Sequence, residues 1–493
     1  MSYVAVFDIG TTAVKGILVN KKVELKEEHT IELKTFVSDG GIVEQCPEDW
    51  WEAIIEIAAL WWKSGISPKS IRAITFSGQM EDVIPISPNA TRAILYSDTR
   101  AGNEAEWVHE QYPEIRATTG NNISATTPLA KIKWLQSKGN VVYDSATHIV
   151  FSSKDYIINK LTGQAVTDPV TAATTGMMDL KYSCWSKDIL QKCFIDESKM
   201  PLLLDVDSIV DTVSSEASEI SGFSTSTAVI NGSGDAGATT LGASAIHEKD
   251  GYFYMGTTGW LAIVEKNQGQ LETLSEGHFN LSFVDSEHRI SVAPLLNVGN
   301  VHKWAVQAYI NKKEINKYEA FENLIEQVNP GSEGVLFLPY LNGERNPLID
   351  PEAKGAYWGI TPNTERKELA RAALEGVTFS LKQTLEMYNI TDQRTITLIG
   401  GASKSNVWCQ MMADIMNHPI RVPSNSEYLP SIGIASTAFI ALEWCDSYEY
   451  FIDTYVKTVP GKTYIPDPKK VKIYQSTYET FKKLHPALQQ IYK

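Results

Sequence analysis

The chain is predicted to be an α/β protein of more than one domain. Three observations carry this. Strand-like and helix-like stretches alternate from end to end. Several apolar strands run straight into turns made of Gly, Ser and Thr. The chain has 493 residues, and at roughly 150 residues per domain that length suggests two to four domains.

The first strand is Tyr3 to Phe7 and the second Val14 to Val19. A five-residue polar turn, Asp8 to Thr12, joins them, which is a hairpin signature and not a crossover. Pro47 to Lys63 reads as a helix, with Pro at its start, Glu48 and Asp49 in its first turn and an apolar Trp/Ile/Ala/Leu surface. Ile71 to Phe76 is a strand that ends at Ser77-Gly78-Gln79. Ala228 to Ile230 is a short strand; it leads into Asn231 to Asp235 and a small-residue helix, Ala236 to Ala245. Tyr252 to Met255 is the next strand and stops at Gly256-Thr257-Thr258-Gly259. Val335 to Leu338 is a strand, and Glu365 to Tyr388 a long helix with Thr364 as its N-cap. Thr395 to Ile399 opens onto Gly400-Gly401-Ala402-Ser403. The strand-then-Gly-Thr-Thr unit occurs twice, at Gly10 and at Gly256, and hints at two equivalent halves.

Composition narrows the function classes. Lys and Arg total 44 and Asp and Glu 59, a net charge of −15. Such a field repels phosphate backbones, so no nucleic-acid partner is expected. Aromatic residues, 21 Tyr, 15 Phe and 12 Trp, are too many for a disordered chain. The five cysteines are scattered, odd in number and without a CxxC pair. That argues against a disulfide framework or a zinc site and for a reducing cytoplasm. The start of the chain lacks a basic segment, and Asp8 interrupts its apolar run, unlike a signal peptide. The stretch Ile432 to Leu442 falls short of the ~20 residues a membrane helix needs.

Four groups of residues are able to carry chemistry. In Asp8 to Thr12 with Lys15, Gly10 lets backbone approach an anion, and successive N–H groups form a nest. Asp8 beside such a nest suits Mg²⁺, which is held by carboxylates together with phosphate oxygens. A plain polar turn explains the same residues. Gly232 to Gly237 matches G-x-G-x-x-G after a strand. However, Asp235 stands where a pyrophosphate needs positive potential, and the later acidic residue of a dinucleotide site is missing. Asp235 at a helix N-terminus is placed to orient a substrate hydroxyl, with its pKa lowered by the helix end; a simple capping role remains open. Gly256 to Gly259 and Gly400 to Ser405 are candidates to line a nucleotide, or are structural turns. Ser77 to Asp82 and Ser97 to Arg100 carry amide and carboxylate groups suited to vicinal hydroxyls, or are solvated loops. No Walker A pattern is present.

The order of these motifs resembles the FGGY carbohydrate kinases. Asp8 to Thr12 is followed by Val43-Glu44-Gln45, then by Gly78-Gln79-Met80, Ser97 to Arg100 and Pro128 to Leu135. Gly234-Asp235-Ala236-Gly237 comes next, then Leu338 to Pro347, Gly355 to Ile360 with Glu368 to Glu375, and Gly400-Gly401-Ala402. The resemblance implies two actin-like (ribonuclease H-like) domains with ATP in the cleft between them. It implies an N-terminal sugar domain over residues 1–246, an ATP-binding domain over 247–445, and an extension over 446–493 packed on the latter. By the same carry-over Asp235 is the catalytic base, and Asp8 organises Mg²⁺. Gly10, Thr11, Thr12, Lys15, Gly256, Thr257 and Thr258 cradle the phosphates, and Gly400, Gly401 and Ser405 flank the adenosine. Gln79, Met80, Glu81, Asp98 and Asp235 meet the sugar. The expected partners are a small sugar and ATP, with no membrane; a homodimer is allowed.

Gly78-Gln79-Met80 is similar to the xylulokinase branch, which usually continues with His. Here Glu81 follows, as in glycerol kinases after Gln-Arg. The branch also favours Asn after the catalytic Asp and an Asn-Asp pair before the later Arg, where this chain has Ala236 and Ser97-Asp98. The sugar is therefore open between a D-xylulose-like ketose, ribulose, a glycerol-like polyol and gluconate. Glu81, Asp98 and Asp235 together would repel the carboxylate of gluconate.

Overall fold

The computed structural model describes residues 2–137, 141–267, 276–424 and 426–492. Two mixed seven-stranded sheets dominate it, and they share one plan. In the first, Tyr3–Ile9 pairs antiparallel with Ala13–Asn20, which pairs antiparallel with Leu25–Glu32. On its other side Tyr3–Ile9 runs parallel to Ile71–Gly78, followed by parallel Ala228–Ile230 and antiparallel Ile209–Thr212. In the second sheet Gly251–Met255, Gly259–Lys266 and His288–Leu295 repeat the antiparallel trio. Parallel Ile396–Ile399 and Ile420–Pro423 and antiparallel Gly461–Tyr464 then repeat the other flank. The two Gly-Thr-Thr turns occupy the same hairpin in each sheet.

Local chemistry explains the elements. Tyr3–Ile9 is apolar on both faces and nearly all buried, as a central strand covered on both sides must be. Helix Pro47–Lys63 begins at Pro47, carries Glu48 and Asp49 at its positive end and Lys63 at its negative end. Its Trp50, Ile54, Ile57 and Trp61 pack with Phe7 and Phe76 beneath the first sheet. The long helix is Arg366–Glu386, and its cap is Glu365, not Thr364. Glu365 and Glu368 form a reciprocal capping box, with the Glu365 N–H donating to Glu368 at 2.8 Å. The Thr364 hydroxyl instead accepts the Thr361 N–H, so it closes the preceding turn. The last helix, Pro468–Tyr492, places Tyr474, Tyr478 and Phe481 against Phe379 in the second core.

The two halves meet through helices Asp235–Gly242 and Leu429–Ala441. They cross where neither has a side chain: a Cβ on Gly433 would strike Gly242 N and lie 2.7 Å from Ala238 O. Helix Leu429–Ala441 also touches the first sheet, where Thr437 and Thr75 share a hydroxyl hydrogen bond of 2.7 Å. Asn121 of the first half and Asn280 of the second are also joined reciprocally. Asn121 Nδ2 donates to Asn280 O and Asn280 N donates to Asn121 Oδ1, each at 2.7 Å. No helix among the described residues is long and apolar enough to cross a membrane.

Candidate active site

Between the halves lies a cavity of about 890 Å³. Its lining draws on both sheets: Asp8, Gly10, Thr11 and Lys15 from the first hairpin, and Met80, Glu81 and Tyr96 from the following loops. Asp235 contributes from its helix, and Gly400, Gly401, Ser403 and Lys404 from beyond the second sheet's strand. Tyr254 and Trp260, stacked with centroids 4.0 Å apart, and Phe279 and Leu281 form the apolar part. Lys15 reaches across to donate to the carbonyl of Glu427 at 3.1 Å.

Asp235 is the first residue of its helix, after Gly234. The three glycines of the G-x-G-x-x-G match face protein rather than a ligand. Gly232 has φ +70° and backs on the Phe76 carbonyl, Gly234 is covered by Met80 Sδ, and Gly237 by Ser233 Oγ. This geometry leaves no room for a dinucleotide there. The turn is bolted from behind by a fully buried ammonium. Lys154 Nζ lies 2.7 Å from Asp155 and 3.0 Å from Asp168, and donates to Asn231 Oδ1 at 3.3 Å. Asp168 in turn accepts the Ser233 hydroxyl.

The helix end does not lower the Asp235 pKa overall, contrary to the expectation from sequence. Burial pushes its carboxyl up to about 7, and the charges of Asp8 and Glu81 add to this. The Ala236 N–H at the helix end pulls it down, but by less. The side chain is exposed to the cavity, so the shift comes from the protein that encloses the cleft around it and not from loss of contact with water. Burial also raises Asp8, against the pull of Lys15, and pushes Glu81 up to about 7 against Lys131 and Arg345. A carboxylate beside a second carboxylate, both facing the cavity, is a donor set that fits Mg²⁺, a cation that needs only one or two protein oxygens beside phosphate and water.

The other sequence candidates are distributed unevenly. Gln79 is buried behind the hairpin turn. Its Oε1 accepts the Thr11 hydroxyl at 2.9 Å and its Nε2 donates to Gln45 at 3.0 Å, so it braces the turn rather than facing the cavity. Asp98 is fully buried, with its carboxylate accepting two Arg100 nitrogens and the Val43 N–H. Ser405 caps helix Asn406–Met416 through the Trp408 N–H. Its neighbours Ser403 and Lys404 face the cavity instead. Gly256, Thr257, Thr258 and Thr12 are outside the cavity lining among the described residues. The carbonyls of Gly256 and Thr257 accept the N–H groups of Gly299 and Asn300, which open the helix Gly299–Tyr309. Sequence reasoning missed Tyr96, Thr174, Trp260 and Phe279. Tyr96 alone had a signal, its place beside the Ser97 to Arg100 turn.

Comparison with known proteins decides the family. The model of the FGGY carbohydrate kinase N-terminal domain matches residues 3–242, and that of the C-terminal domain matches residues 251–442. The chain belongs to the FGGY family of carbohydrate kinases. It is a sugar phosphotransferase of the actin-like ATPase fold, with an interdomain cleft. It is 28% identical over 495 residues to a xylulose kinase of Staphylococcus xylosus, covering 98% of this chain and 100% of that one. It is 29% identical over 509 residues to a gluconokinase of Bacillus subtilis, covering 100% and 97%. Among solved structures, a ligand-bound xylulose kinase from Lactobacillus acidophilus superposes with a TM-score of 0.88 at 26% identity, covering 100% and 99%. A gluconate kinase from the same organism superposes at 0.87 and 26%, covering 99% and 98%. Such FGGY kinases act on a sugar with ATP as co-substrate.

Proposed function

We propose that this enzyme transfers the γ-phosphoryl group of ATP to a hydroxyl of a neutral ketose of the D-xylulose type, with Asp235 as general base. The observation that carries the reading is the position of Asp235, facing one cavity with Glu81 on one side and the Asp8 hairpin on the other. With a pKa near 7 the carboxyl is matched to proton transfer at neutral pH. The sugar hydroxyl donates its proton to Asp235 as its oxygen attacks phosphorus, and the bond to ADP breaks. Positioning does most of the work in such loose transition states. Asp8 would hold Mg²⁺, which when bound supplies positive charge against the triphosphate. Gly10, Thr11, Lys15, Gly400 and Gly401 bind and orient the nucleotide. Met80, Glu81 and Tyr96 line the sugar end.

A neutral sugar is favoured by charge. Among the described residues lining the cavity, the cations are Lys15 and Lys404, both on the nucleotide side, while Glu81 and Asp235 face the sugar. A gluconate carboxylate would meet acid there, although Arg345 and Lys131 act on Glu81 from outside the lining. The experiment is ADP release over D-xylulose, D-ribulose, L-ribulose, gluconate and glycerol. D-Xylulose is expected to give the highest kcat/KM, and preference for gluconate would overturn the substrate reading. Asp235→Asn is expected to lose at least about a thousandfold in kcat while still binding ATP, the scale for removing a group used in the transition state. Near-normal turnover in that variant would refute its role. Absence of turnover on the whole panel by the wild-type enzyme would favour a non-catalytic sugar- or ATP-binding regulator.

A further inference from the structure

Lys131 is a buried cation with no part in the chemistry above. It sits on helix Pro128–Ser137 with 0% exposure. Its ammonium donates to two main-chain carbonyls, Glu81 O at 2.9 Å and Leu95 O at 2.7 Å. Each carbonyl belongs to a segment that meets the cavity: Glu81 lines it directly, and Tyr96, next to Leu95, does so too. Glu81 is held with φ +61°, a left-handed conformation that a non-glycine residue adopts only when its surroundings impose it. The neighbouring Asp82 ties the same two segments from the other side. Its Oδ1 accepts the Tyr96 N–H at 2.9 Å, and its own N–H donates to Phe151 O. Its second carboxylate oxygen is buried without a partner.

We propose that Lys131 is a positioning residue for sugar recognition: its ammonium pins the Glu81 and Leu95 carbonyls and so fixes where the Glu81 carboxylate and the Tyr96 ring enter the cavity. An apolar side chain of equal length would fill this space without the desolvation cost of a buried charge. The ammonium supplies two things that such a side chain lacks. One is the pair of hydrogen bonds that holds the strained turn. The other is positive charge facing Glu81, Asp82 and Asp98, with Arg100 a further cation acting on it. The pull of Lys131 on the Glu81 carboxyl, which favours its charged form, agrees with this arrangement.

The inference rests on reading this end of the cavity as the sugar site, so its test has one readout that needs sugar and one that does not. Full-length Lys131→Met and Lys131→Gln are compared with wild type. With D-xylulose, KM is expected to rise about tenfold or more with kcat within about threefold and KM for ATP unchanged, the pattern of lost ground-state binding. In the Glu81→Gln background the same change is expected to add less than it does in wild type, since part of the action of Lys131 passes through the Glu81 carboxylate. Independently of any sugar, hydrogen exchange at the Asp82 and Tyr96 amides is expected to accelerate in both variants while other buried amides keep their rates. Unchanged exchange at those two amides overturns the inference, whether or not D-xylulose is a substrate. So does a parallel rise in KM for sugar and ATP, full additivity with Glu81→Gln, or failure of both variants to fold.

Discussion

Replacing Lys154 with methionine removes the charge that holds the Asn231 to Asp235 turn. The ammonium is fully buried, 2.7 Å from Asp155 and 3.0 Å from Asp168. Removing one partner of such an interaction leaves uncompensated buried charge, a loss of about 3–5 kcal/mol. Lys154→Met belongs at the upper end, because one cation serves two carboxylates and the Asn231 amide oxygen. The double variant Lys154→Met/Asp155→Asn deletes one of the stranded charges and is expected to recover about 2 kcal/mol of that. The sign of the pH dependence follows from Asp155. Burial already raises its folded pKa above the ordinary aspartate value, against the pull of Lys154. Without Lys154 it rises further, so ionised Asp155 destabilises the fold at neutral pH. The deficit therefore shrinks as pH falls through the raised pKa. Urea unfolding followed by tryptophan fluorescence at pH 7.5 and 5.5 measures all three quantities. A loss below about 1 kcal/mol for the single variant, or no recovery in the double, would refute the assignment of Lys154 as the bolt of the Asn231 to Asp235 turn.

Two further outcomes are expected. With the Asp235 carboxyl at about 7, a base at this position acts in its ionised form, so kcat/KM should fall about tenfold for each pH unit below that value. A profile of ADP release from pH 5 to 9 that stays flat to pH 5.5 would count against Asp235 as base. Gly433→Ala places a methyl against Gly242 N and Ala238 O, forcing apart the helices at the crossing. A loss of about 1–3 kcal/mol is expected from such overpacking, together with reduced turnover, since Asp235 opens one of those helices. Wild-type stability in that variant would show the crossing to be looser than described.

The sequence made the periodic parts legible. Strand alternation marked both sheets, and the repeated Gly-Thr-Thr turn correctly pointed to equivalent hairpins, because a strand and its turn are set by near neighbours. The roles of individual polar residues were less visible. Gln79 looks like a sugar ligand in sequence, but its partners are Gln45 and Thr11, 34 and 68 residues away. Ser405 looks like part of a glycine-rich nucleotide loop, but it is the cap of the following helix. The pKa of Asp235 depends first on enclosure by protein and then on the charges of Asp8 and Glu81, which only the folded cleft supplies. Local rules gave the helix-end contribution and missed the larger one. Thr364 failed as a cap for a simpler reason: a Glu365–Glu368 box one residue later satisfies the helix end better.

The close crossing of helices Asp235–Gly242 and Leu429–Ala441 gives the molecule a fulcrum. Backbones that touch at Gly242 and Gly433 leave little room to slide, so rotation about that point is the movement the packing would permit. Asp235 sits at the start of one of these helices. The reciprocal Asn121–Asn280 hydrogen bonds tie the halves at a second place and would have to break for such a rotation. A rotation of the halves about this crossing would leave Asp235 nearly in place while it changed the width of the cleft.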